Sequence, residues 1–125
     1  MRIIVSAGGT GGHIYPALSI IYKIKEKHNS AEILYVGTTD RMEKDIVPKE
    51  NIPYYGIKIR GFDRKFSFNN IKTIKYFISG IFEMKKLMKE FKPDIVIGVG
   101  GYVTYPVIKA ASSLGIKTFI HNIIP

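Results

Sequence analysis

Gly8-Gly9-Thr10-Gly11-Gly12-His13 lies between the apolar run Ile3-Ile4-Val5 and a helical pattern beginning near His13 or Tyr15. Glycines at a strand end let the backbone approach a ligand closely, and the helix start that follows offers N–H groups to an anion. No Lys follows the last glycine, which excludes phosphate capture of the P-loop kind. Gly9-Thr10-Gly11-Gly12-His13-Ile14 also lacks the final glycine of a dinucleotide fingerprint. Gly98-Val99-Gly100-Gly101-Tyr102 repeats the arrangement after a second apolar run. Ligands of open parallel sheets bind beyond the carboxyl ends of the strands, so the two turns can flank one crevice and clamp a diphosphate. His13 at its mouth would titrate near neutrality and suits acid–base work. A lone histidine is more often structural; the glycine context is what favours chemistry here.

The elements that must carry these turns alternate along the chain. Strands are expected at Arg2–Ser6, Glu32–Val36, Ile52–Ile59, Asp94–Gly98 and Lys117–His121. A first helix should present Leu18, Ile21, Tyr22 and Lys25 on one face. A short helix over Met42–Val47 would be capped from Thr38-Thr39-Asp40 and closed by Pro48. A long helix over Ile71–Phe91, capped by Asn69 or Asn70, should stop before Pro93. A last one over Val103–Leu114 should end at Gly115. Strand and helix in strict alternation, with short connections, imply an α/β fold: a parallel sheet with helices on both faces. The chain stops after a strand without the helix that should follow, so an unfinished domain is expected.

The 125 residues suit one domain. With 46% hydrophobic and 23% charged residues the composition is that of a folded protein, not a disordered one. The absence of Cys removes disulfides, thiolate nucleophiles and thiolate metal sites. Apolar stretches fall short of a membrane span. The formal charge of +9 is local: residues 58–92 carry ten basic and three acidic side chains, while the segments on either side are nearly balanced. Charge alone would suit nucleic acid. However, the basic segment interleaves its lysines with large apolar groups at helical spacing, which favours an anionic lipid surface over nucleic acid, a solvated basic helix face being the plainer alternative. Ile74, Phe77, Ile81, Met84, Met88 and Phe91 form the expected core stripe of the long helix. Ile71, Ile78 and Phe82 adjoin it as surplus apolar groups, bordered by Lys75, Lys85, Lys86 and Lys89. Arg60, Phe62, Arg64, Lys65, Phe66 and Phe68 come just before.

Gly8–His13 with Pro16-Ala17-Leu18, Gly37-Thr38 through Met42-Glu43, and Pro93-Asp94 through Gly101-Tyr102-Val103 form an ordered set. Taken together they resemble the MurG family of glycosyltransferases of peptidoglycan synthesis. The resemblance implies the N-terminal, Rossmann-like half of a GT-B transferase, with a C-terminal donor domain absent from these residues. It implies transfer of GlcNAc from UDP-GlcNAc to lipid I, forming lipid II at the cytoplasmic face of the membrane by a peripheral protein, with no cofactor and no bound metal. By the same resemblance His13 helps to deprotonate the acceptor hydroxyl, and Thr10, Gly11 and Gly12 face the donor. Gly9, Gly100, Gly101 and Tyr102 meet the acceptor diphosphate. The family pattern His-Glu-Gln-Asn is replaced by His121-Asn122-Ile123-Ile124-Pro125. Deletion of Glu and Gln would make Asn122 the counterpart of the family's donor-side Asn; substitution is the alternative. The family's acidic residue is then missing, and the 125 residues alone are expected to be inactive. The competing expectation is a non-catalytic membrane-docking subunit of a two-chain GT-B enzyme.

Overall fold

The computed structural model describes residues 1–8, 14–39, 42–58 and 68–120. Nine elements alternate along them: β1 (Arg2–Ala7), α1 (Ile14–Lys27), β2 (Glu32–Thr38), α2 (Glu43–Lys49), β3 (Tyr54–Ile57), α3 (Phe68–Phe91), β4 (Ile95–Gly100), α4 (Thr104–Ser113) and β5 (Lys117–Ile120). The five strands form one parallel sheet in the order β3-β2-β1-β4-β5. The strand order reverses between β1 and β4, and both glycine turns follow those two strands. The crevice of such a sheet opens at this point.

β1 runs through the middle, and its alternation splits the core into two layers. Ile3, Val5 and Ala7 face Ile14, Ala17, Leu18 and Ile21 of α1, with Val47 of α2 in the same layer. Ile4 faces the other way, with Met84 and Met88 of α3 and with Val107, Ala110 and Ala111 of α4. Helices therefore cover both faces, as the alternation requires.

Helix ends follow backbone rules. Lys92 turns left-handed (φ +55°) and donates its N–H to the Met88 carbonyl at 2.8 Å, and Pro93 prevents any continuation. Gly115 (φ +72°) stops α4, where Ile116 N–H reaches back to the Ala111 carbonyl at 2.9 Å. At the opposite end of the sheet from the turns, the Arg2 backbone N–H donates to Asp94 at 2.8 Å. Its guanidinium meets the Phe91 carbonyl at 2.8 Å and Glu32 at 3.0 Å.

Several expectations are corrected. Pro48 lies inside α2 rather than closing it, because Glu50 and Asn51 still donate to Val47 and Pro48; left-handed Asn51 (φ +59°) provides the stop. The N-cap position of α2 is Met42, with no side-chain cap, rather than Thr38, Thr39 or Asp40. Tyr22 is exposed, since α1 buries Ala17 in its place and Tyr22 hydrogen-bonds Glu50. Ile74 is 49% exposed, not core: the inward line of α3 runs through Thr73, Gly80, Met84 and Met88. The third strand is only Tyr54–Ile57, β4 runs two residues further than expected, and α3 starts three residues earlier.

Candidate functional site

The site is built on β1 and β4. Their pairing shifts register between Ser6 and Ala7, which brings Gly100 opposite Ala7. Past this irregularity the Gly8 backbone N–H donates to the Gly100 carbonyl at 3.1 Å. Gly101 (φ +93°) follows in a conformation that side chains rarely adopt. A Cβ built there would overlap the Gly8 carbonyl oxygen and lie 2.6 Å from the carbonyl carbon. Gly8 and the second glycine turn thus pack backbone against backbone at the switch point. At Gly101 the glycine is required by the protein itself, whatever else approaches.

α4 leaves directly from this contact. Thr104 N–H donates to the Gly101 carbonyl at 3.2 Å, and Thr104 Oγ1 donates to the Gly100 carbonyl at 2.9 Å. The positive end of the helix consequently lies beside the turn, where an anion is favoured. Tyr102 is 43% exposed next to it. Of the residues singled out from sequence, Gly100, Gly101 and Tyr102 are brought together here. Gly9, Thr10, Gly11, Gly12, His13 and Asn122 lie outside the described residues, as do Arg60, Phe62, Arg64, Lys65 and Phe66.

One neighbour was not assigned a role from sequence. Glu43, the first residue of α2, is buried beneath Gly8, and Oε1 accepts from the Thr38 backbone N–H at 3.1 Å and from Thr38 Oγ1 at 2.7 Å. Tyr54 hydroxyl donates to the Thr38 carbonyl at 2.5 Å, and its ring stacks on Tyr35 with centroids 5.7 Å apart. Burial, and then the Glu43 and Tyr54 charges, hold the Tyr35 hydroxyl well above its ordinary pKa. The signal was present in the sequence: an acidic residue opening a helix just after a strand that ends in Gly-Thr. Among the described residues no cluster of His, Asp and Glu could hold a metal ion.

The second surface is on α3. Ile71, Ile74, Ile78 and Phe82 are exposed at 49–66%. At about 100° per residue they share one stripe with Lys75, Lys85, Lys86 and Lys89. Lys85 Nζ lies 5.7 Å from the Phe82 ring centroid. α3 abuts α4 where a Cβ on Gly80 would touch Pro106 at 3.4 Å, so the helix carrying the stripe braces the helix that follows the second turn. No helix among the described residues is long and apolar enough to cross a membrane.

A 3-2-1-4-5 parallel sheet with Gly8 packed on a second glycine turn at its switch point defines a Rossmann-like domain of the kind that forms half of a GT-B glycosyltransferase. Residues 3–125 match the N-terminal domain of glycosyltransferase family 28, and the chain belongs to that family. It is 57% identical over 122 residues to the UDP-N-acetylglucosamine–N-acetylmuramyl-(pentapeptide) pyrophosphoryl-undecaprenol N-acetylglucosamine transferase of Bacillus licheniformis, covering 98% of this chain and 33% of that protein. The Bacillus subtilis enzyme of the same name is 53% identical, with 98% and 34% covered. Among solved structures, Acinetobacter baumannii MurG superposes with a TM-score of 0.80 at 32% identity, over 96% of this chain and 34% of that one. The chain spans about a third of the length of the relatives it matches.

Proposed function

We propose that this chain is the acceptor-side domain of a transferase that moves GlcNAc from UDP-GlcNAc to lipid I, forming lipid II. The observation that carries the reading is the packing of Gly8 against Gly100 and Gly101 at the switch point of a family 28 sheet. The relatives carry this domain within a chain about three times as long, which favours the transferase over a two-chain docking subunit.

In this reading the second turn, with Gly9 and Tyr102, receives the acceptor diphosphate, aided by backbone N–H groups and the α4 dipole. Thr10, Gly11, Gly12 and Asn122 face the donor. The acceptor hydroxyl oxygen attacks C1 of the sugar, the C1–O bond to UDP breaks, and UDP leaves with the bonding electrons. His13 takes the hydroxyl proton as general base. The α3 stripe rests on the anionic cytoplasmic leaflet, where the acceptor is confined by its lipid.

The test is a hybrid in which this chain is joined to the remaining two-thirds of the Bacillus subtilis relative. UDP release should require both UDP-GlcNAc and lipid I in vesicles, and His13→Ala should slow turnover by roughly 10²–10⁴-fold. A folded hybrid that releases no UDP would overturn the reading. A His13→Ala effect on KM alone would make His13 a binding residue.

A further inference from the structure

Gly37-Thr38 and Met42-Glu43 are part of the ordered motif set, yet neither the diphosphate chemistry nor the α3 stripe uses them. The structure shows where they meet. The Glu43 side chain is 1% exposed and passes between two glycines. A Cβ on Gly37 would lie 2.7 Å from Glu43 Cγ, and one on Gly8 would lie 2.8 Å from Glu43 Cδ and overlap Oε1. The carboxylate is tied to Thr38 by charge-assisted bonds from the backbone N–H and the hydroxyl. Thr38 is held in turn by the Tyr54 hydroxyl. On its other side Gly8 donates to the Gly100 carbonyl and abuts Gly101. The carboxylate, the Gly8 peptide and the second glycine turn therefore stack across the carboxyl ends of β2, β1 and β4.

A carboxylate beside an anion site repels the anion, so attraction cannot be what this side chain supplies. What it supplies is a fixed spacer. We propose that Glu43 is a positioning residue: by its length and its bonds to Thr38 it holds the Gly8 peptide against Gly100 and Gly101, and so sets the shape with which Gly8 and the second turn receive a diphosphate. This rests on the diphosphate reading above.

The test uses the ¹⁵N-labelled 125-residue chain and farnesyl diphosphate as the probe, at temperatures where each variant is folded by its melting curve. Glu43→Gln keeps the length and the acceptor while removing the charge. Its Gly8, Gly100 and Gly101 amide shifts should stay near those of the parent, with Kd within about threefold. Glu43→Asp keeps the charge but falls short by one methylene. It should shift all three amides and weaken binding about tenfold, the loss expected for a misplaced hydrogen bond. Thr38→Val keeps the volume and removes one donor, and should move the same amides with a smaller loss of affinity; it carries the test if Glu43→Asp does not fold. Lowered melting temperature with unchanged turn amides and unchanged Kd would overturn the proposal, leaving Glu43 as support for the fold alone. A Glu43→Gln loss as large as that of Glu43→Asp would also overturn it, since charge rather than shape would then matter. Absence of binding by the parent chain would remove the diphosphate reading, while the ligand-free shifts at Gly100 and Gly101 would still decide whether Glu43 positions the turn.

Discussion

Gly101 sits so close to Gly8 that a Cβ on the former would occupy the space of the latter's carbonyl oxygen. The contact lies between the ends of β1 and β4, the two strands flanking the switch point. It ties the end of β1 to the second turn as one structural unit. Loss of transfer in a Gly101 variant would therefore report first on this packing and only then on a ligand.

Gly101→Ala is expected to destabilise the chain by about 2–4 kcal/mol, combining backbone strain at positive φ with overpacking against a peptide that cannot swing away. Gly115→Ala is the control. It also has positive φ (+72°) but nothing within 4 Å of the added Cβ, so it should cost only the left-handed strain of about 1–2 kcal/mol. Urea unfolding of the two variants measures the difference. Equal losses would mean that the turns can separate without cost.

The ring of Tyr35 is fully buried and stacked on Tyr54, and its hydroxyl has no hydrogen-bond partner among the described residues. Burying a hydroxyl without a partner is unfavourable by about 1–3 kcal/mol on mutational scales. Tyr35→Phe keeps the ring and removes that cost. It should raise stability by about 1 kcal/mol, read from the urea midpoint at unchanged slope. A clear loss of stability would show that the hydroxyl is satisfied in solution.

Much of this architecture was legible in the sequence, and the exceptions share a cause. Apolar runs, Gly-rich strand ends and the stops at Pro93 and Gly115 act locally, so the order of elements could be read from them. The facing of α3 was legible only in part: Met84 and Met88 lie in the core and Phe77, Ile81 and Phe91 pack against it, as the apolar spacing requires. Its inward line includes Thr73 and Gly80, which carry no apolar signal. Gly80 is buried because α4 approaches closely enough for Pro106 to cover it. Counting apolar residues alone pulled the expected face round to Ile74. Glu43 is the matching case at the site: a carboxylate reads as exposed until Gly8, Gly37 and Thr38 are seen to enclose it.

Tyr55 donates its phenol proton to Glu83 across the β3–α3 contact at 2.6 Å. That bond, then burial and the charges of Glu83 and Glu90, push its pKa up to about 12 from 10. The protonated phenol is the form favoured by folding. Its contribution is full below the unfolded pKa near 10 and is lost as pH rises through about 12. Burial raises Tyr35 in the same direction. Stability should therefore fall between pH 10 and 12, and Tyr55→Phe should flatten part of that fall. An unchanged alkaline slope in the variant would show that the bond to Glu83 does not persist in solution.

The exposed stripe of α3 fits a helix lying along a bilayer surface. Ile71, Ile74, Ile78 and Phe82 span three turns on one side, and Lys75, Lys85, Lys86 and Lys89 lie within the same third of the circumference. Insertion of the apolar groups by a few ångströms would bring the ammonium groups to the headgroups, each contributing about 1 kcal/mol on an anionic surface. The core line of α3 faces away, so Ile78→Ser with Phe82→Ser should leave stability within about 0.5 kcal/mol while removing the contact. Co-sedimentation of the chain with anionic vesicles should exceed that with neutral ones, fall as salt is raised, and drop several-fold in the double variant. Binding that survives both substitutions and ignores salt would place the membrane contact elsewhere on the domain.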